Sequence, residues 1–90
     1  MKVRYYGNLR VSAGEPEVEL DKPIDTLEAL LGELSGRYGE AFRRQVFEGF
    51  QIADGLTILI NGKNARQHGG LMATLDRDDT VHLLSPIAGG

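Results

Sequence analysis

The chain has no cysteine in its 90 residues. That excludes disulfides, thiolate metal ligands and a cysteine nucleophile, and it fits a reducing compartment. A long apolar run is also missing. The opening, MKVRYYG, has no hydrophobic leader region and reads directly as a strand, while LTILI at 56–60 is far too short to span a bilayer. A soluble, cytoplasmic protein with no membrane partner is expected. Positive charge is not in excess. The formal net charge of −3 gives no pull toward nucleic acid, and the one adjacent basic pair, Arg43-Arg44, fits a solvated helix face.

Catalytic groups are equally scarce. His68 falls in a loop and His82 on an outward strand position, and neither has a neighbour at metal-ligand spacing. Asp76, Asp78 and Asp79 cluster, but no glutamate follows where a calcium loop would need it, so a solvated turn is expected. No P-loop, no dinucleotide-binding glycine pattern and no nucleophile elbow is present, and Ser12 and Ser35 have no evident base. The chain is not expected to be an enzyme.

What is present has clear periodicity. A length of 90 residues makes one domain with a modest core. Residues 2–7, KVRYYG, alternate with Val3 and Tyr5 on one side, which predicts a half-buried strand. NLRVSAGEP supplies turn residues, and EVEL at 17–20 predicts a second strand, with Val18 and Leu20 inward, pairing with the first as a hairpin. Then the period changes. Leu27, Leu30, Leu31, Leu34 and Tyr38 lie on one face of a helix that Asp25 with Glu28 would cap and Gly39 would end. Gly32 within it suggests close packing on the sheet. Phe42, Val46 and Phe47 predict a short second helix within 40–50, and QIADG reads as a loop.

The run at 56–60 predicts a central strand buried on both faces, and Asn61-Gly62 a type I′ turn into a short strand, KNARQ. GGLMATL at 69–75 fits a 3₁₀ turn burying Leu71 and Leu75. TVHLL at 80–84 predicts the last strand, with Val81 and Leu83 inward. The first and last strands, joined by no local connection, can lie parallel at the centre. This order predicts an α+β, β-grasp (ubiquitin-like) fold, a mixed sheet of four to five strands packed on one main helix. Residues 1–84 would form the domain and 85–90 a flexible tail.

That tail, Ser85 followed by Pro86, Ile87, Ala88, Gly89 and Gly90, is the remaining candidate for chemistry. A backbone carboxylate is inert until it gains a better leaving group, such as AMP from ATP. It must then enter a narrow adenylating site on a second protein. Glycines without Cβ can pass such a channel, and Pro86 stiffens the exit from the last strand. Extended, Pro86 to Gly90 reaches about 15 Å. Tyr6 and Leu84, both pointing away from the helix on neighbouring strands, form a candidate partner-docking pair beside it.

The chain resembles the MoaD/ThiS ubiquitin-like sulfur carriers over nearly its whole length. The likeness is strongest in ILINGKNARQHGGLMATLDRDDTVHLLSPIAGG, where an apolar strand ends in Asn-Gly and a final strand leads to Gly-Gly. The opening KVRYYGNLRVSAG resembles molybdopterin synthase small subunits. Two positions depart from the family: Asp78 stands where a turn glycine is usual, and Ser85-Pro86 replaces Pro-Pro, which loosens the tail.

The resemblance implies that a ubiquitin-activating-type enzyme adenylates the Gly90 carboxylate with ATP, that a sulfur donor displaces AMP to leave a thiocarboxylate, and that no protease is needed to expose Gly90. The carrier binds no cofactor or metal of its own. The implied recipient is the large subunit of molybdopterin synthase. Thiazole carriers are usually shorter and lack the segment at 40–55. Gly69-Gly70-Leu71 also resembles carriers serving cysteine biosynthesis, and sulfur delivery for cysteine, thiamine or tRNA thiolation, a protein-modifier role through isopeptides, and an inert interaction module stay open.

Overall fold

In the computed structural model, which describes residues 1–86, the alternation of the opening segment becomes strand β1 (Lys2–Tyr6), with Val3 and Tyr5 buried and Arg4 exposed. Its partners are β2 (Glu17–Glu19), antiparallel, and β7 (Thr80–Leu84), parallel, which sets Val3 beside Val81 and Tyr5 beside Leu83. Strand β5 (Thr57–Ile60) pairs antiparallel with β7 and turns through Asn61-Gly62 into β6 (Lys63–Asn64). Both turn residues have positive φ, 51° and 85°, as a type I′ turn requires. The sheet order is β2-β1-β7-β5-β6. This is the mixed sheet of a β-grasp fold, with the first and last strands parallel and adjacent as the element order predicts.

Among the described residues, three α-helices make the second layer. The longest, α2 (Leu27–Tyr38), buries Leu27, Leu30, Leu31 and Leu34, and each such side chain contributes about 1.5–3 kcal/mol of burial free energy. The cap is Thr26, not Asp25: the Thr26 side chain accepts from the Ala29 N–H at 3.2 Å, while the Asp25 carbonyl accepts from Leu75 N–H at 2.9 Å. Gly39 ends α2 and starts α3 (Glu40–Val46), which buries Phe42 and Val46. Gly32 faces solvent, and a Cβ there would meet no atom of another element within 4 Å, so this glycine does not serve close packing on the sheet.

Several local expectations are corrected. Residues 8–16 are not all turn: α1 (Asn8–Ala13) forms there, anchored by fully buried Leu9 and stopped by left-handed Gly14, whose N–H donates to the Arg10 carbonyl. The β1–β2 pairing holds, but a helix rather than a tight turn connects the strands. Phe47 leaves α3 and opens a small hairpin of β3 (Phe47–Glu48) and β4 (Gln51–Ile52), so QIADG is not wholly a loop. After β6 the chain makes a 3₁₀ turn, Ala65–Gln67, instead of continuing as strand. A second one, Gly70–Met72, leads into buried Leu75, with Leu71 only half-buried. Asp78 is not left-handed; among the described non-glycine residues only Asn61 has a positive φ.

The largest correction concerns β5. It is neither central nor buried on both faces: Thr57 is exposed and Leu59 half-buried. The centre belongs to β7, and among the described residues the helices cover one face of the sheet only.

Aromatic rings close the core over β1. Tyr5 meets Tyr38 edge-on at 5.5 Å and Phe42 at 5.6 Å. The Tyr5 hydroxyl donates to Tyr38 at 3.0 Å, and Tyr38 donates in turn to the Glu15 carboxylate. Burial, reinforced by the bond to Tyr38, pushes the Tyr5 pKa well above the usual phenol range; burial and then the bond to Glu15 push Tyr38 up as well. A free tyrosine ionises near pH 10, so above about that pH the unfolded chain loses protons that the folded one keeps. Stability is therefore complete below that pH and declines as pH rises, by up to about 1.4 kcal/mol per pH unit for Tyr5. The melting temperature should fall as pH rises above about 10, and less steeply in Tyr5→Phe. An equal fall in the variant, measured by circular dichroism, would place the cause elsewhere.

Candidate functional site

Parallel pairing decides what lies around the start of the tail. Strands β1 and β7 run in the same direction, so their last residues, Tyr6 and Leu84, sit side by side at one end of the sheet. Val3, Tyr5, Val81 and Leu83 face the helices, and the alternate residues face away. Tyr6 and Leu84 are therefore together on the face that no helix covers, and both are half-buried. Thr57 stands across from Leu84, and Leu59 across from His82, on that same face. The Tyr6 hydroxyl and His82 Nδ1 form a hydrogen bond at 2.9 Å, and their rings stack at 5.8 Å. His82 is on the outward side as the alternation predicts, but it steadies Tyr6 rather than standing alone. The opposite end of this face is charged: Arg4 lies 3.4 Å and Lys2 4.0 Å from the Glu17 carboxylate. An apolar and aromatic patch next to the tail thus grades into an ion-paired rim.

The tail's first residue is fastened to the body. Ser85 Oγ accepts from the Leu9 N–H at 3.1 Å and donates to the Tyr6 carbonyl at 3.0 Å. Each such bond contributes about 0.5–1.5 kcal/mol net. Serine in place of the family's proline does not simply loosen this point. Sequence reasoning missed the role, because the partners lie at the other end of the chain; the one local hint was Gly7, directly after an alternating strand. Pro86 is exposed. Ile87, Ala88, Gly89 and Gly90 lie outside the described residues.

Other concave regions offer little chemistry. A groove of about 580 Å³ runs between the solvent side of α2 and the β3–β4 hairpin, bordered by Gly32, Gly36, Arg43, Phe47 and Phe50. Its hydroxyl, Ser35, donates to the Leu31 carbonyl, and Ser12 accepts from Gln45, so neither is held by a base. The aspartates at 76–79 form a turn lock: Asp79 accepts from the Asp76 N–H at 2.8 Å and from the Asn61 side chain at 2.7 Å. No group of three metal-ligating side chains occurs among the described residues, and no helix there is long and apolar enough to cross a membrane.

Comparison with known proteins agrees with this architecture. None of the curated proteins matches the chain. Among solved structures, the small archaeal modifier protein 1 of Methanosarcina acetivorans is 32% identical with a TM-score of 0.82, covering 99% of this chain and 94% of that one. A chain of the Amycolatopsis orientalis BexX/CysO complex is 23% identical with a TM-score of 0.83, covering 99% and 98%. Urm1 of Trypanosoma brucei is 24% identical with a TM-score of 0.80, covering 99% and 93%. The last two likenesses are of fold. The ThiS family model matches residues 3–90, the two terminal glycines included. With that match over nearly its whole length, the chain belongs to the ThiS family of ubiquitin-like sulfur carriers.

Proposed function

We propose that this protein is a cytoplasmic sulfur carrier whose Gly90 carboxylate is the working group. The observation that supports the proposal is the family match, which runs from residue 3 through residue 90. A carboxylate oxygen attacks the α-phosphate of ATP on an adenylating partner, and pyrophosphate leaves. A sulfide-equivalent nucleophile then attacks the acyl carbon, AMP leaves, and a thiocarboxylate remains. ATP is the partner's substrate; the carrier holds no cofactor or metal and catalyses nothing itself. Among recipients, molybdopterin synthesis through the large synthase subunit is the one we propose, on the likeness of residues 2–14 to synthase small subunits. A second reading, attachment of Gly90 to lysines as a modifier, is favoured by the 32% identity to a protein named small archaeal modifier protein 1.

Intact mass of the protein taken from its own host separates these readings. A species heavier by the difference between sulfur and oxygen, lost on removal of Gly90, is the expected result; conjugates to lysine would favour the modifier. A carboxylate in all of the material, with no effect of deleting Gly90, would sink both. Loss of molybdoenzyme activity in a deletion strain is expected for the proposed recipient, and intact activity would move the sulfur to another acceptor.

The uncovered patch supplies docking in this reading. Tyr6→Asp and Leu84→Asp should fold normally, since both side chains point away from the core. Each should weaken binding to the adenylating enzyme by about tenfold or more, the cost of burying a charge in place of an apolar anchor. Titration calorimetry checks this, and wild-type affinity in both variants would move the docking surface elsewhere.

A further inference from the structure

Helix α1 begins with a defect that the far end of the chain repairs. Its cap residue is Gly7, which has no side chain to offer the first-turn amides that a helix start leaves unpaired. The acceptor comes instead from Ser85, whose Oγ lies 3.1 Å from the Leu9 nitrogen. The same hydroxyl donates to the Tyr6 carbonyl at 3.0 Å, so one side chain ties the end of β1 and the start of α1 to the end of β7.

Glycine at position 7 makes room for this. A Cβ there would stand 2.7 Å from the Ser85 carbonyl oxygen and 2.8 Å from Ser85 Oγ, and φ is +65° besides. On the other side Pro86 rests against Gly55, its Cγ 3.5 Å from where a Cβ would be. Ser85 against Gly7 and Pro86 beside Gly55 thus form a cradle for the root of the tail, and both glycines have positive φ, +65° and +84°.

We propose that Ser85, packed against Gly7 and bonded to Leu9 and Tyr6, is a positioning residue that fixes the direction in which the tail leaves the body and thereby speeds charging of Gly90 once the partner has docked. This deepens the carrier reading and rests on it. Tyr6 and Leu84 would anchor the partner, and the chain from that anchor to the carboxylate begins at Ser85. With the root fixed, the carboxylate is delivered from a defined point beside the docked partner, and its effective concentration at the adenylating site rises. The docking patch itself does not contain the Ser85 hydroxyl. Its loss should therefore slow the adenylation step more than it weakens association.

The test uses the full chain, as wild type, Ser85→Ala and Ser85→Thr, in ATP–pyrophosphate exchange with the adenylating enzyme of the same organism. Hydrogen exchange of the Leu9 amide is followed by NMR in parallel. For Ser85→Ala we expect kcat to fall about five- to tenfold with KM for the carrier within about twofold. Leu9 exchange should rise about tenfold, and Ser85→Thr, which keeps the hydroxyl, should recover both. Unchanged Leu9 exchange in Ser85→Ala overturns the tie. A wild-type kcat, or a loss confined to KM, overturns the positioning role while leaving the carrier reading intact. Absence of exchange with the wild-type chain overturns the carrier reading itself, and the use of the cradle with it.

Discussion

The parallel contact between β1 and β7 is the constraint on which the rest of the molecule depends. It joins segments from opposite ends of the chain, so closing it costs more loop entropy than any local hairpin. Burial offsets that cost. Val3, Tyr5, Val81 and Leu83, all at 1% exposure or less, form a continuous apolar strip that α2 and α3 cover. Parallel direction has a second consequence. An antiparallel pair would place Tyr6 beside the start of the last strand, whereas here Tyr6 adjoins Leu84 and the root of the tail. The helical face of this strip carries stability, and the open face at its end carries the candidate docking patch.

The polar groups near that strip are arranged so that none is left stranded. Tyr5 is an awkward core residue because its hydroxyl must find a partner under the helices. Tyr38 supplies one, and its own hydroxyl reaches Glu15 near the surface, so a short chain of donors leads the buried polarity outward. No buried side-chain nitrogen or oxygen lacks a partner among the described residues. Arg66 does the same for the loop before β5: its guanidinium donates to the carbonyls of Ala53 at 2.7 Å and Leu56 at 3.2 Å. The wall of the tail cradle, Gly55, lies between those two carbonyls.

Features set by near neighbours in the chain are legible in the sequence. Alternation of Val3 and Tyr5, the four leucines on one face of α2, and the Asn61-Gly62 turn all express a local period or a local φ, and each is found as read. Features decided by distant partners are not. Six residues of α1 are too few to display a helical period, and the helix exists because Leu9 is buried and Ser85 caps it from afar. An apolar run such as LTILI looks the same in a doubly covered strand and in one whose outer side awaits a partner, so nothing local separates half-buried Leu59 from a core residue. Asp25 and Thr26 are both good capping residues one position apart, and the choice falls to the bonds that the neighbouring segment makes with each of them. The candidate site divides in the same way. Tyr6 and Leu84 can be placed from alternation, but the Ser85 tie cannot.

A carboxylate that must react inside another protein needs two opposed properties. It must be free enough to enter, which favours residues without side chains, and its root must be fixed enough that the search is short. On the carrier reading, the sequence 85–90 separates these demands along its length. Ser85 is held at Gly7 by its two bonds, Pro86 follows beside Gly55, and the sequence places Gly89 and Gly90 only at the far end. A proline at position 85 would stiffen the root through its own ring but would give the Leu9 amide no acceptor and the Tyr6 carbonyl no donor. Serine fixes the same point through bonds instead of through φ. That choice ties the tail to the N-terminal helix, so the Gly7 turn positions the root of the tail as well as the start of α1.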